Sequence, residues 1–155
     1  MKIELIVRDT CRLRPDLAGV SENVRVVSVV GRYLEHGRIY YFRNGGREEY
    51  FIGSADCMKR NLESRVEVVA PVEDPNLRKE LRRILDLQLA PNRNQWEMKS
   101  DGSYERRPCP DNDSGCQQAL IDLEDVRRNE ETKTSKRRRK GFARRVLKAE
   151  PRSDA

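Results

Sequence analysis

Runs of β-branched and aromatic residues alternate with turn signals along the first hundred positions, and each run has the length of a strand. Ile3 to Val7 is interrupted only by Glu4 and predicts a buried strand, with Arg8 at its end. Pro15, Gly19 and Ser21 make Asp9 to Glu22 a loop. Val24 to Val30 is the next strand, stopped by Gly31. Arg38 to Phe42 and Glu49 to Ile52 flank Asn44-Gly45-Gly46, which is hairpin chemistry. Gly53-Ser54-Ala55-Asp56 leaves the hairpin, one or two helical turns reach Asn61, and Arg65 to Val72 alternates as a further strand.

The period then changes. Asp74-Pro75 opens a helix with Leu77, Leu81, Ile84, Leu85 and Leu89 at helical spacing, a stripe expected to lie on the sheet. Gln95 to Met98 reads as a short edge strand and Asp101-Gly102-Ser103 as a turn. A second amphipathic segment, from a capping Ser114 to about Arg128, puts Ala119, Leu120, Leu123 and Val126 on one face. Strands interspersed with two helices predict an α/β fold, a mixed sheet flanked by helices over residues 1–128.

Composition changes the picture only at the end of the chain. From Asn129 onward ten Lys and Arg face four Asp and Glu, a surplus that equals the net charge of +6 for all 155 residues. The domain is therefore charge-balanced, and the basic character belongs to the tail, so no specific nucleic-acid partner is predicted for the folded part. Residues 129–155 have too little apolar surface to order themselves and are expected to be a disordered basic tail, either merely solvated or in electrostatic contact with a polyanion. Cys11, Cys57, Cys109 and Cys116 are scattered and His36 is the only histidine, which leaves little to build a metal site and suggests reduced thiols. No stretch has the length of a signal peptide or a membrane span, so a soluble, cytoplasmic protein is expected.

His36 is also the natural centre of any chemistry. In Leu34-Glu35-His36-Gly37-Arg38 an imidazole and a guanidinium two residues apart can be aimed at one point, an arrangement suited to a phosphoryl group. Arg forks onto phosphate oxygens, and His can give or take a proton or accept the phosphoryl group itself. Ser54 and its neighbouring backbone N–H groups are candidates for holding a phosphate oxygen, and Glu67 for fixing the His36 ring in one tautomer. The local alternative for Arg32 and Arg38 is an ion pair with Glu35 or Glu67. For Gly53 and Ser54 it is a tight turn only.

The order His36-x-Arg38, hairpin, Gly53-Ser54, Asn61 and then a strand bearing Glu67 resembles the phosphodiesterase motif of the phospholipase D superfamily. Arg38 stands where that motif has Lys, and Arg43 where it has Asp. A closer resemblance is carried by Leu5-Ile6-Val7-Arg8, Gly19 to Val26, Gly31-Arg32-Tyr33-Leu34-Glu35-His36, Arg38 to Phe42, Asn44-Gly45-Gly46, Gly53-Ser54-Ala55-Asp56, Met58 to Leu62, and Arg65 to Val68 with Pro71-Val72. Together these resemble the C-terminal domain of polyphosphate kinase of the first type, over residues 3 to about 105.

That resemblance implies a phospholipase-D-like fold and an enzyme that reversibly moves the terminal phosphate of ATP onto polyphosphate, with magnesium, through a phosphohistidine. The phosphorylated histidine, the magnesium ligands and the adenine-stacking tyrosine are expected on preceding domains, so Mg2+ is implied but no metal ligand is assigned here. Arg8 matches the family's nucleotide-contacting arginine. His36 matches a histidine that contacts the nucleotide and is a candidate general acid. The assigned residues are therefore His36 as catalytic, with Arg8, His36, Arg38 and Ser54 binding phosphate and Glu67 behind them. Cys57 stands where the family usually has Trp. The implied partners are ATP or ADP, polyphosphate and the preceding domains, with self-association left open, and the chain alone is expected to be an inactive fragment. Two alternatives stay open: a dimeric phospholipase-D-like phosphodiesterase or nuclease, and a non-enzymatic polyanion binder acting through the tail.

Overall fold

In a computed structural model, residues 1–8 and 11–148 are described, with side chains described through Thr134. Two compact units, Met1–Gln117 and Gln118–Ala155, are each described by themselves.

The first unit contains two sheets where the sequence predicts one. A four-stranded sheet has the order β1-β2-β6-β7, built from β1 (Ile3–Ile6), β2 (Val24–Val29), β6 (Gln95–Met98) and β7 (Tyr104–Arg106). β1 and β2 are parallel and the remaining pairs are antiparallel. β2 is the spine: Val26 and Val27 are fully buried on opposite faces, which is why apolar residues occur at successive positions instead of alternating strictly with polar ones. Val24, Val26 and Met98 form the core of one face, with Ile3, Leu5, Val7 and Cys11 packed against it. On the other face Arg25 donates from Nε to Glu97 at 2.8 Å and from Nη1 to Glu4 and to the Leu89 carbonyl, both at 3.3 Å.

The Gln95–Met98 strand is interior, not an edge. β7, absent from the sequence reading, covers it across the Asp101-Gly102-Ser103 turn, where Gly102 takes φ +91° and Asp101 accepts from the Ser103 N–H at 2.8 Å. Three residues with exposed side chains carry no alternation that could have announced a strand.

The second sheet, β3-β4-β5, is antiparallel. β3 (Ile39–Asn44) and β4 (Arg47–Gly53) form the expected hairpin, and its turn residues Gly45 and Gly46 sit at φ +60° and +94°, a left-handed pair that non-glycine residues resist. The strand read over Arg65 to Val72 contracts to β5 (Val69–Pro71). Val68 bonds to the Ser54 side chain and N–H instead of extending the ladder, and Val66 is wholly exposed. Before it, α1 is six residues long, Lys59–Ser64.

α2 (Pro75–Leu89) joins the sheets. Asp74 caps it, accepting from Asn76 and Leu77 N–H groups at 2.8 and 3.0 Å, a device worth about 1 kcal/mol. Arg82 lies 4.9 Å from the Tyr41 ring on one sheet, and at the far end Gln95 donates to the Gln88 carbonyl at 2.8 Å on the other. Its apolar stripe is only half-buried, and Leu77 remains exposed.

α3 runs Cys116–Lys148, past the expected end near Arg128. Residues 129–148, expected to be disordered, are drawn as part of this helix, and residues 149–155 lie outside the described ones. The segment is rich in Glu, Lys and Arg, good helix formers that need no buried face to adopt the conformation. Arg127 pairs with Glu124 and Glu131, and Arg128 with Asp125, at helical spacing. No helix among the described residues is long and apolar enough to cross a membrane.

Candidate functional site

The loop from β2 to β3 carries His36, and its position is set from behind. A Cβ on Gly31 would lie 2.3 Å from Gln117 Oε1 and 2.9 Å from Asn94 Nδ2, so any side chain there would displace these two amides. Gln117 then fastens the loop. Its Oε1 accepts from the Tyr33 N–H at 3.1 Å, and its Nε2 donates to the Tyr33 carbonyl at 2.8 Å and to Glu35 Oε1 at 2.7 Å. The other Glu35 oxygen accepts from Gln88 Nε2 at 3.0 Å. Both oxygens of a part-buried carboxylate are thereby bonded one residue before His36. Burial, reinforced by the Glu35 charge, pushes the Cys116 thiol up to about 11.

His36 and Arg38 precede β3 instead of sharing its face, as the sequence reading supposed, yet they do meet. Arg38 Nη1 lies 3.0 Å from His36 Nδ1 and Nη2 lies 3.1 Å from Nε2, while Nη1 also donates to the His36 carbonyl at 3.1 Å. A neutral imidazole has one lone-pair nitrogen, so at most one of the two ring contacts is a hydrogen bond. Arg38 Nε donates to Asp56 Oδ1 at 2.9 Å. That bond, ahead of the charges of Arg38 and His36, holds the Asp56 carboxyl below its usual range. Asn61 nearby is 2% exposed, and its Oδ1 has no partner among the described residues.

Ser54 and Glu67 are brought to the same neighbourhood with different partners from those expected. The Ser54 hydroxyl donates to Glu67 and accepts from the Val68 N–H at 3.0 Å. The Ser54 N–H donates to the Val68 carbonyl and the Gly53 N–H to the Arg38 carbonyl, both at 3.0 Å. Phosphate contact by Ser54 requires these bonds to be exchanged. Glu67 is bonded to Ser54, whereas the His36 ring faces Arg38. Arg38 pairs with Asp56 and not with Glu35 or Glu67, and Arg32 lies 5.6 Å over the Tyr33 ring. Cys57 is exposed, and the Tyr40 hydroxyl donates to the Ala55 carbonyl at 3.0 Å.

Arg8 follows β1 and is exposed, with no hydrogen bond or ion pair among the described residues. Because β1 and β2 are parallel and the Val7 N–H reaches the Val27 carbonyl at 2.8 Å, both strands finish at the same end of the sheet. Arg8 and the loop bearing His36 leave from that end.

The family model for polyphosphate kinase C-terminal domain 2 matches residues 1–118. The chain belongs to this family. It is 56% identical over 122 residues to a polyphosphate kinase of Synechocystis, covering 78% of this chain and 17% of that protein. A polyphosphate kinase of Bacillus anthracis is 54% identical over 104 residues, covering 67% of this chain and 15% of that protein. The crystal structure of polyphosphate kinase from Porphyromonas gingivalis superposes with a TM-score of 0.75 at 43% identity, over 84% of this chain and 20% of that one. This chain thus spans less than a fifth of the length of the two relatives.

Within this polyphosphate kinase domain, Asp56 is the carboxylate that meets Arg38, a pairing not expected from the sequence. The signal was its place after Gly53-Ser54 at the end of the hairpin that Arg38 opens. Asp56 and Glu67 are each committed to a neighbouring side chain, and among the described residues no group of three or more His, Cys, Asp or Glu could hold a metal ion. The donor set does not fit a magnesium site.

Proposed function

We propose that this chain supplies the nucleotide-phosphate-binding share of a polyphosphate kinase, which reversibly transfers the terminal phosphate of ATP to polyphosphate. The observation that carries the reading is the Arg38 fork laid against the His36 ring and fixed by Asp56, in a domain of this family. A guanidinium beside an imidazole neutralises phosphate charge and offers a proton to the leaving oxygen, the two needs of phosphoryl transfer that a protein can meet by positioning. Arg8, exposed at the same end of the sheet, supplies a second cation for the nucleotide phosphates.

In this proposal the phosphohistidine resides on a preceding domain, and any magnesium accompanies the nucleotide with ligands outside this chain. The fold is assigned to the phospholipase-D-like group on the order His36, Arg38, Gly53-Ser54 and Asn61. Half of a clamp binds phosphate weakly and does not turn over.

The test is complementation. The chain is mixed with a separately expressed upstream portion of a polyphosphate kinase, and polyphosphate formed from ATP is measured. Activity is expected only from the mixture, and His36→Ala is expected to lower it by about 100-fold or more. Robust activity of the chain alone, or a mixture indifferent to His36, would show the catalytic assignment to be wrong.

A further inference from the structure

The family match ends at residue 118, but α3 continues as helix to Lys148. Its two parts differ in charge. Up to Glu131 basic residues are paired within the helix, as Arg127 and Arg128 are. From Thr132 to Lys148 there are nine Lys and Arg and no Asp or Glu. Lys133, Arg137, Lys140, Arg144 and Lys148 recur every three or four residues, which puts five basic positions on one register line of the helix over about 22 Å. Such an array repels itself and gains from a multivalent anion that neutralises several charges at once.

The same segment lacks what other partners need. Residues 132–141 contain no apolar side chain, and Phe142, Val146 and Leu147 are confined to the last two turns, so there is no stripe for a hydrophobic groove or a coiled coil. Single-stranded nucleic acid is held by aromatic platforms along a basic groove, and this segment has only Phe142 to stack a base. A polymer of phosphate without bases asks for charge alone.

We infer that α3 beyond Glu131 is a polyanion-binding arm whose ligand is linear polyphosphate. The inference rests on the polyphosphate kinase reading, because the arm is joined to that domain. Polymer held on the arm is kept at high effective concentration near the same chain.

The experiment is titration of the full chain with fluorescently labelled long-chain polyphosphate over a range of salt concentrations. Three proteins are compared: the unaltered chain; a neutralised variant carrying K136Q, R137Q, R138Q, R139Q and K140Q; and a charge-preserving variant carrying R137K, R138K and R139K. Neutralisation is expected to weaken binding at least tenfold and to flatten its salt dependence, while the charge-preserving variant keeps both. Equal binding by the neutralised chain overturns the inference. So does tighter binding of a single-stranded oligonucleotide than of polyphosphate at equal charge. His36→Ala separates the two readings: it is expected to lower complemented activity about 100-fold or more and leave arm binding intact, so failure of one does not imply failure of the other.

Discussion

Arg38 is tied through Nε to Asp56 at 2.9 Å, and this contact sends its two terminal nitrogens to the ring of His36. A guanidinium is planar, so bonding one edge fixes the other. Arg38→Ala is accordingly expected to lower complemented turnover by about 100-fold, the usual effect of losing one charged donor at a reacting phosphate or oxyanion. Arg38→Lys should recover little, since one ammonium cannot reach Asp56 and both ring nitrogens together. Steady-state kinetics of the reconstituted enzyme checks both, and full activity of the Lys variant would refute the fork.

Asp56 gives this arrangement a pH limit. Its carboxyl is lower in the folded chain than in the unfolded one, chiefly because of the Arg38 bond. The sign follows: the contribution to stability is present above the ordinary carboxylate range and is lost as pH falls through the depressed folded value. Carboxyl-carbon NMR should show Asp56 titrating below the ordinary aspartate range, and Arg38→Ala should return it toward that range.

The loop clamp makes a separate prediction. Gln117→Ala removes the partners of Tyr33 and of one Glu35 oxygen, leaving a part-buried carboxylate on Gln88 alone. A loss of about 2 kcal/mol is expected in urea unfolding. Gly31→Ala should act in the same direction by displacing Gln117, and a double variant should cost less than the sum because both changes break one clamp. Strict additivity would mean that the loop is held elsewhere.

Cys116 provides a test at high pH. It is 2% exposed and its thiol is raised to about 11, so it should resist alkylation at neutral pH while exposed Cys57 reacts. Above the unfolded thiol range the unfolded chain ionises first. The contribution of Cys116 is therefore intact below that range and lost as pH rises toward 11. Mass mapping of labelled cysteines, with and without urea, reads the difference.

The sequence by itself determined the local elements whose cause is local. The Gly45-Gly46 turn, the Asp74-Pro75 helix start and the valine-rich β2 follow from backbone freedom, capping and burial on both faces, and each lies where its residues place it. The family was legible too, in motifs running through Arg8, His36 and Gly53-Ser54. Only the tertiary structure decided how the strands divide into two sheets, because pairing depends on long-range registers that no window of sequence contains. It also decided that Gln95–Met98 is interior, since the three residues covering it carry no pattern of their own. Partner choice was hidden for the same reason: Arg38 had several carboxylates within reach of a sequence argument, and the fold gave it Asp56, assigned Glu67 to Ser54, and set two glutamines from distant helices on Glu35.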